Sequence, residues 1–404
     1  MGALATTGCG DSASNTGGTG GGGTTSSTTG ATSGTGTGSS SSSGTGGGGD
    51  TGPITAPDDT WTYVPFSGSK CMNGTSTGIG INKHPGSKDV VIFMQGGNAC
   101  FNATSCAITA HKNGYGPTDF DMEKTSILDT KTLFSRTATS NPLKDWNYVY
   151  IPYCTGDLHF GDNDTMVGGQ MRTFHGYNNV ELYLQRVVAT YPDAQRVIVT
   201  GVSAGGFGAA LNYAHVSEKF PNVQVMLLDD SGPPFEAPAA PACLQKKFMD
   251  TWGYDKTLPT ACGATCKPAD GAFLPPYVSY VLNTYPNSRK GLISSTEDAT
   301  ISQFLGFGDN DCSGIDSVIP GPFTGAQYTA GLVDIRDVEF AGHANIHTFF
   351  IDGVNNVNTT MMDKTQHVWL NEDPSMVYSH DTVLLDWLNQ MLTGDAAWAN
   401  VGGP

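Results

Sequence analysis

Ser203 stands in Gly201-Val202-Ser203-Ala204-Gly205, a spacing that suits a nucleophile displayed on a sharp turn between a strand and a helix. At such an elbow the serine backbone is strained, and glycine two positions away on each side leaves room for strand and helix to converge. The hydroxyl then stands clear of the sheet. The first N–H groups of the helix point at the same spot, where they favour the negative charge that develops on an ester oxygen under attack. The pattern is short for a chain with 53 glycines, so its neighbours matter. Arg196 to Thr200 is a β-branched run fit for a buried parallel strand, and Gly206 to Tyr213 is rich in small residues fit for a close-packed helix.

A serine nucleophile needs a histidine base and a carboxylate to orient it, and α/β hydrolases supply them in the chain order serine, acid, histidine. Asp298 follows the short strand Gly291 to Ser295 and fits the acid's place. The other half of an oxyanion hole is expected where Asp89 to Met94, an apolar run, enters Gln95-Gly96-Gly97-Asn98, because paired glycines let backbone N–H groups face a ligand unobstructed. The strand Trp146 to Ile151 leads to Asp157 and His159, candidates for contact with substrate at the carboxyl end of a central strand.

The elements that must carry these residues alternate. Val180, Leu184, Val187, Val188 and Tyr191 mark an amphipathic helix ahead of the elbow strand. Val223 to Leu228 and His347 to Asp352 read as further strands, and Asp381 to Leu392 as a closing helix. Strand and helix in repeated succession predict an α/β fold with a mainly parallel sheet covered on both faces. With no internal repeat, residues 57–404 are expected to form one domain. Pro233 to Pro276 is Pro-rich and carries three cysteines, which predicts an irregular, disulfide-pinned cap over the crevice.

Ahead of that domain, residues 1–9 end in Gly8-Cys9 after small residues, like the cleavage region of a bacterial lipoprotein leader that lacks its hydrophobic stretch. Residues 10–56 are dominated by Gly, Ser and Thr, a composition that predicts a flexible tether, so Cys9 is a candidate lipid anchor. The remaining eight cysteines point to disulfides in an oxidising compartment; Cys262 and Cys266 are loosely spaced for zinc and lack a second close Cys/His pair. A net charge of −17 argues against nucleic acid as a partner and favours neutral or esterified substrates. Asp309-Asn310-Asp311 begins like a calcium loop, but no glutamate closes it, and a solvated turn is expected.

Several blocks carry a resemblance to a known family. Gln95-Gly96-Gly97-Asn98-Ala99-Cys100-Phe101-Asn102 with Cys106, Ile151-Pro152-Tyr153-Cys154, Gly201-Val202-Ser203-Ala204-Gly205-Gly206 and Asp230-Ser231-Gly232 resemble, in order, the blocks of the pectin acetylesterase and Notum family. The resemblance covers about Cys71 to Trp398. It implies a carboxylic-ester hydrolase with an α/β-hydrolase fold, Ser203 as nucleophile, and Gly97, Asn98 and Ala204 as oxyanion-hole donors. The family's acid falls on Asp298, although Ile301 stands where an Asp-x-x-Gln context would have its glutamine; Glu297 is the fallback. The base falls on His367, in Thr365-Gln366-His367-Val368-Trp369-Leu370, with His343 and His347 as alternatives. Those two are spaced for one helix face, yet no acidic third ligand accompanies them, so neither a metal nor any cofactor is expected. The resemblance also implies Cys71 paired with Cys154 and Cys100 with Cys106. Cys243, Cys262, Cys266 and Cys312 remain open to three pairings.

The resulting expectation is a monomeric, secreted or surface-tethered bacterial serine esterase that removes acetyl or other short acyl groups from plant polysaccharide such as pectin. Two rivals stand beside it: an esterase for longer acyl chains, and a non-catalytic carbohydrate-binding surface lipoprotein.

Overall fold

The computed structural model describes residues 51–403, so residues 1–50, with the expected leader and Cys9, lie outside the described residues. The first strands are β1 (Thr62–Phe66), β2 (Thr77–Asn82), β3 (Asp89–Met94) and β4 (Asn147–Ile151). A separate hairpin, β5 (Asn163–Val167) and β6 (Gln170–Phe174), follows. Next come β7 (Arg196–Val202), β8 (Gln224–Asp230), β9 (Lys290–Ser295) and β10 (Ile346–Ile351), and a small pair, β11 (Tyr378–Ser379) and β12 (Thr382–Val383).

The main sheet runs in the order β1-β2-β4-β3-β7-β8-β9-β10. From β4 to β10 every pairing is parallel, and β2 is antiparallel to both its neighbours. Central strands of this kind are covered on both faces, which is why they read as continuous apolar runs. Alternate residues feed two cores: Val90, Ile92, Val197 and Val199 face one, and Val91, Phe93 and Ile198 face the other. The first core packs against the helices Gly176–Thr190 and Ala204–Lys219, the second against the helix Leu384–Thr393. The expected α/β-hydrolase arrangement is therefore present. Because the strands are parallel, the ends of β3, β4, β7, β8, β9 and β10 lie along one edge, where loops can converge.

Two expectations need correction. The folded unit begins before residue 57: the Ile54 N–H donates to Thr190 Oγ1 at 2.8 Å, and Ile54 and Ala56 are buried. The cap, expected to be irregular, is largely helical, with Ala242–Trp252, a short turn of helix at Tyr254–Thr257, and Leu274–Thr284. Its prolines had suggested otherwise, but Pro241 is a helix N-cap and the first turn after Leu274 also holds proline, positions where a missing N–H costs nothing.

Four disulfides are formed among the described residues. Cys71–Cys154 and Cys100–Cys106 pair as the resemblance implied. The open pairings resolve as Cys243–Cys312 and Cys262–Cys266, with Cα–Cα separations of 6.1 and 5.7 Å. The first of these ties the cap to the segment after the helix Ala299–Leu305. Among the described residues no helix is long and apolar enough to cross a membrane, and no cluster of three or more His, Cys, Asp or Glu side chains is arranged to hold a metal ion.

Candidate active site

Ser203 follows β7 directly and caps the helix Ala204–Lys219 with φ 58° and ψ −124°, a backbone conformation that non-glycine residues rarely adopt. Gly201 and Gly205 make the turn possible: a Cβ on either would collide with the carbonyl oxygen of Met94 at the end of β3. The Ser203 N–H donates to the Asp230 carbonyl at 2.8 Å, which fixes the elbow to the neighbouring strand end.

The loop after β3 approaches from the other side. A Cβ on Gly96 would lie 2.6 Å from the Val202 carbonyl oxygen, so only glycine lets this loop pass so near the elbow. The N–H groups of Gly97, Asn98 and Ala204 donate to no protein acceptor among the described residues. Donors left free beside a nucleophile suit an oxyanion. Gln95 braces the loop, accepting the Tyr153 N–H on Oε1 at 2.9 Å and donating through Nε2 to Glu123 at 2.5 Å. Glu123 also accepts from the hydroxyls of Tyr115 (2.7 Å) and Tyr150 (3.0 Å) and from His111 Nε2 (2.9 Å), so one nearly buried carboxylate gathers four donors under the loop.

Asp298 is wholly buried and caps the helix Ala299–Leu305, with Oδ1 accepting the N–H groups of Thr300 (2.9 Å) and Ile301 (3.0 Å). Its other oxygen accepts from His367 Nδ1 at 2.7 Å. His367 and Ser203 line the same polar cleft, together with Gln95, Gly97, Asn98 and Thr300. With Nδ1 engaged, Nε2 is the nitrogen left to exchange a proton with the serine.

The loop that bears His367 is held on both flanks. On one side Ser295 Oγ donates to the Gln366 carbonyl at 2.7 Å, and the Ala299 N–H donates to that of Thr365 at 3.2 Å. On the other, the buried Asp230 carboxylate accepts the N–H groups of Trp369 (2.6 Å) and Leu370 (2.7 Å), and Ser231 Oγ accepts that of Val368 at 3.3 Å. Burial pushes Asp230 up to about 6 against the opposing pull of the two backbone N–H groups, the Ser231 hydroxyl and His367.

The remaining expected residues fall elsewhere. Glu297 is paired with Lys364 Nζ at 2.6 Å and does not reach the histidine. His347 is the second residue of β10, and His343 precedes that strand, so both lie at the edge of the sheet opposite Ser203. Asp157 and His159, read as candidates for touching substrate, are instead 0% and 2% exposed. Asp157 accepts from Thr155 Oγ1 (2.5 Å) and the Gly176 N–H (2.8 Å). His159 Nε2 donates to the Gln95 carbonyl at 2.8 Å, and burial lowers its pKa to about 4, so a neutral imidazole supports the oxyanion loop from below. The roles of His159, Glu123 and Asp230 are not visible in the sequence, where only the Asp230-Ser231-Gly232 block gave a signal.

Beyond Ser203, on the side away from the cleft, lies an apolar cavity that Ser203, Asn98 and Ala204 also line. Its walls come from the elbow helix (Phe207), the cap (Phe235, Phe248, Phe273, Leu274) and the helix capped by Asp298 (Ile301, Phe304). Ile301, the residue that departs from the family's glutamine, is thus part of an apolar wall.

The comparisons with known proteins agree with this architecture. Palmitoleoyl-protein carboxylesterase notum1a of Danio rerio is 30% identical over 173 residues, 40% of this chain and 33% of that protein. Pectin acetylesterase 11 of Arabidopsis thaliana is 25% identical over 228 residues, 54% of this chain and 57% of that protein. The match therefore spans about a third to just over half of the length of these relatives. The structure of the Wnt deacylase Notum from Drosophila aligns with a TM-score of 0.55 over 86% of this chain and 96% of that one, at 19% identity, and so shares the fold. A family model, Pectinacetylesterase, matches residues 61–285, more than half of the chain, and on that match the protein belongs to the pectinacetylesterase family, whose members are carboxylesterases.

Proposed function

We propose that this protein is a serine carboxylesterase working through Ser203, His367 and Asp298. Ser203 Oγ attacks the ester carbonyl while His367 takes its proton; the alkoxide formed on the carbonyl oxygen is held by the N–H groups of Gly97, Asn98 and Ala204. The alcohol leaves with the proton from His367, and water, activated by the same histidine, releases the acid from the acyl-enzyme. The observation that carries this reading is the His367–Asp298 contact of 2.7 Å at the mouth of the cleft that Ser203 lines.

The two sides of Ser203 differ in a way that assigns the halves of the ester. The polar cleft suits the leaving alcohol, and the apolar cavity suits the acyl group. An acetyl group would fill only the mouth of that cavity, so the geometry favours an apolar acyl chain longer than acetyl. The name of the zebrafish relative, a palmitoleoyl-protein carboxylesterase, supports the same reading. Removal of acetyl from a plant cell-wall polysaccharide such as pectin is the second reading, favoured by the family model and by the plant relative. Four disulfides support work in an oxidising setting, secreted or at the cell surface. A tether through a lipidated Cys9 remains part of the proposal.

Hydrolysis of aryl esters from acetate to decanoate by the wild-type protein and by Ser203→Ala tests both readings. Activity that rises with chain length and vanishes in the variant is expected. A maximum at acetate would move the assignment to the deacetylase, and no hydrolysis of any ester would leave the carbohydrate-binding alternative.

A further inference from the structure

A second apolar cavity lies behind the first. It is walled by Leu227, Val281, Leu282, Leu292, Phe340 and Ile346, from β8, β9, the helix Leu274–Thr284 and the region entering β10. Phe207, Leu211 and Leu274 line both cavities, each presenting one side to the chamber at Ser203 and another to the chamber behind. Phe207 and Leu274 are accordingly only half-buried although they sit inside the domain. These three residues form a partition one side chain thick.

The rear chamber has three ionisable residues on its wall, Asp229, Tyr277 and Lys290, and each has its polar atoms tied to the backbone; the Tyr277 hydroxyl donates to the Leu211 carbonyl at 2.6 Å. The Lys290 amine is bonded to the carbonyls of Tyr285 (2.7 Å) and Ser288 (2.9 Å). Asp229 accepts the Gly232 N–H at 2.9 Å, and burial, reinforced by Asp230, pushes its carboxyl well up, which favours the uncharged form. The chamber is therefore apolar space that a chain reaching past the partition would fill.

We propose that Phe207, Leu211 and Leu274 are the floor of the acyl site and set the longest chain accepted, with the chamber behind them as a latent extension. This rests on the carboxylesterase reading above. Phe207 is suited to the part because it is fixed to the elbow: its N–H donates to the Ser203 carbonyl at 3.1 Å, so the floor lies at a set distance from the nucleophile. Leu274 is fixed from the cap, its N–H donating to Gln245 Oε1 at 2.9 Å. A floor built from two residues of the elbow helix and one of the cap measures the chain against the attacking oxygen itself.

The test is the chain-length profile of kcat/KM for aryl esters from acetate to hexadecanoate, measured for the wild-type protein, Phe207→Ala and Leu274→Ala. The wild-type profile is expected to climb and then fall past a limiting length. In each variant the ratio of the first disfavoured ester to the preferred one should rise at least about tenfold, the scale expected when roughly two methylenes gain apolar contact. Adding Val281→Phe to Phe207→Ala should cancel that gain by filling the rear chamber. Because the readout is a ratio between substrates on one preparation, a loss of folded protein does not imitate it. Profiles of unchanged shape in both single variants, or a gain that survives Val281→Phe, would overturn the floor while leaving the esterase reading intact. Absence of all ester hydrolysis, or full activity in Ser203→Ala, would sink the esterase reading and the floor with it.

Discussion

Among the described residues, two histidine–aspartate pairs of nearly equal length lie just past the ends of the adjacent parallel strands β9 and β10, and only one of the two opens on the cleft that Ser203 lines. His367 Nδ1 meets Asp298 at 2.7 Å beyond β9, and His380 Nε2 meets Asp352 at 2.8 Å beyond β10. Asp298 is fully buried and His367 opens on the cleft of Ser203. Asp352 instead receives the N–H groups of Val354 (2.9 Å) and Gly403 (3.2 Å), and the backbone of His380 pairs with Val354 and Asn356. The second pair thus staples a loop to the end of the chain. A histidine–carboxylate contact is a generic way to fasten two segments, and becomes catalytic machinery only where the sheet sets a strained serine opposite it.

Substitutions can break that contrast from its strong side first. Ser203→Ala and His367→Ala are each expected to lower kcat on the best aryl ester by about 10⁴-fold or more, with circular dichroism unchanged. Asp298→Asn should cost about 10³- to 10⁴-fold, because the amide no longer selects the tautomer that leaves Nε2 free. Asp230 sharpens the comparison, since it holds the base-bearing loop without touching substrate. Asp230→Asn should lower kcat by about 10- to 100-fold with KM nearly constant, because a neutral amide oxygen holds the two loop N–H groups more weakly than the carboxylate does. An unaltered kcat would reduce Asp230 to a merely structural residue.

His159 gives a smaller effect, read in stability. Its folded pKa of about 4 lies below the ordinary histidine value of 6.5, so the stability it lends is complete above 6.5 and is lost as the pH falls toward 4. The loss is on the order of 3 kcal/mol. His159→Gln keeps a donor for the Gln95 carbonyl and removes the titration. The difference in Tm between the two proteins should therefore shrink or reverse between pH 6.5 and 4, which thermal melts would show. Asp230, raised to about 6, acts in the opposite sense, adding stability on acidification over a similar range; it is common to both proteins and cancels in the comparison. The smallest effect belongs to the second pair. His380→Ala should change kcat/KM less than about twofold and cost roughly 1 kcal/mol of stability, the scale of one hydrogen bond.

Residues acting through local geometry were legible in the sequence, and those acting across the fold were not. Ser203 announces itself through glycines two places away, and Asp298 through the short strand before it. Asp230 serves N–H groups 139 and 140 residues downstream, and Glu123 gathers donors from three separate segments, so neither leaves a pattern in its own neighbourhood. His159 was noticed but misread, because a polar residue after a strand end carries no sign of whether it faces the crevice or supports it. The apolar cavity was hidden for a similar reason: its phenylalanines are scattered from Phe207 to Phe304, each indistinguishable in sequence from an ordinary core residue.

The Cys243–Cys312 bond joins a cap helix to the segment just after the helix that Asp298 caps. On the proposed assignment, recognition and chemistry are therefore under one mechanical constraint: the wall facing the acyl chain is bolted to the helix that Asp298 caps. On the same assignment, reduction of that bond is expected to loosen the wall facing the acyl chain, and with it the preference among chain lengths.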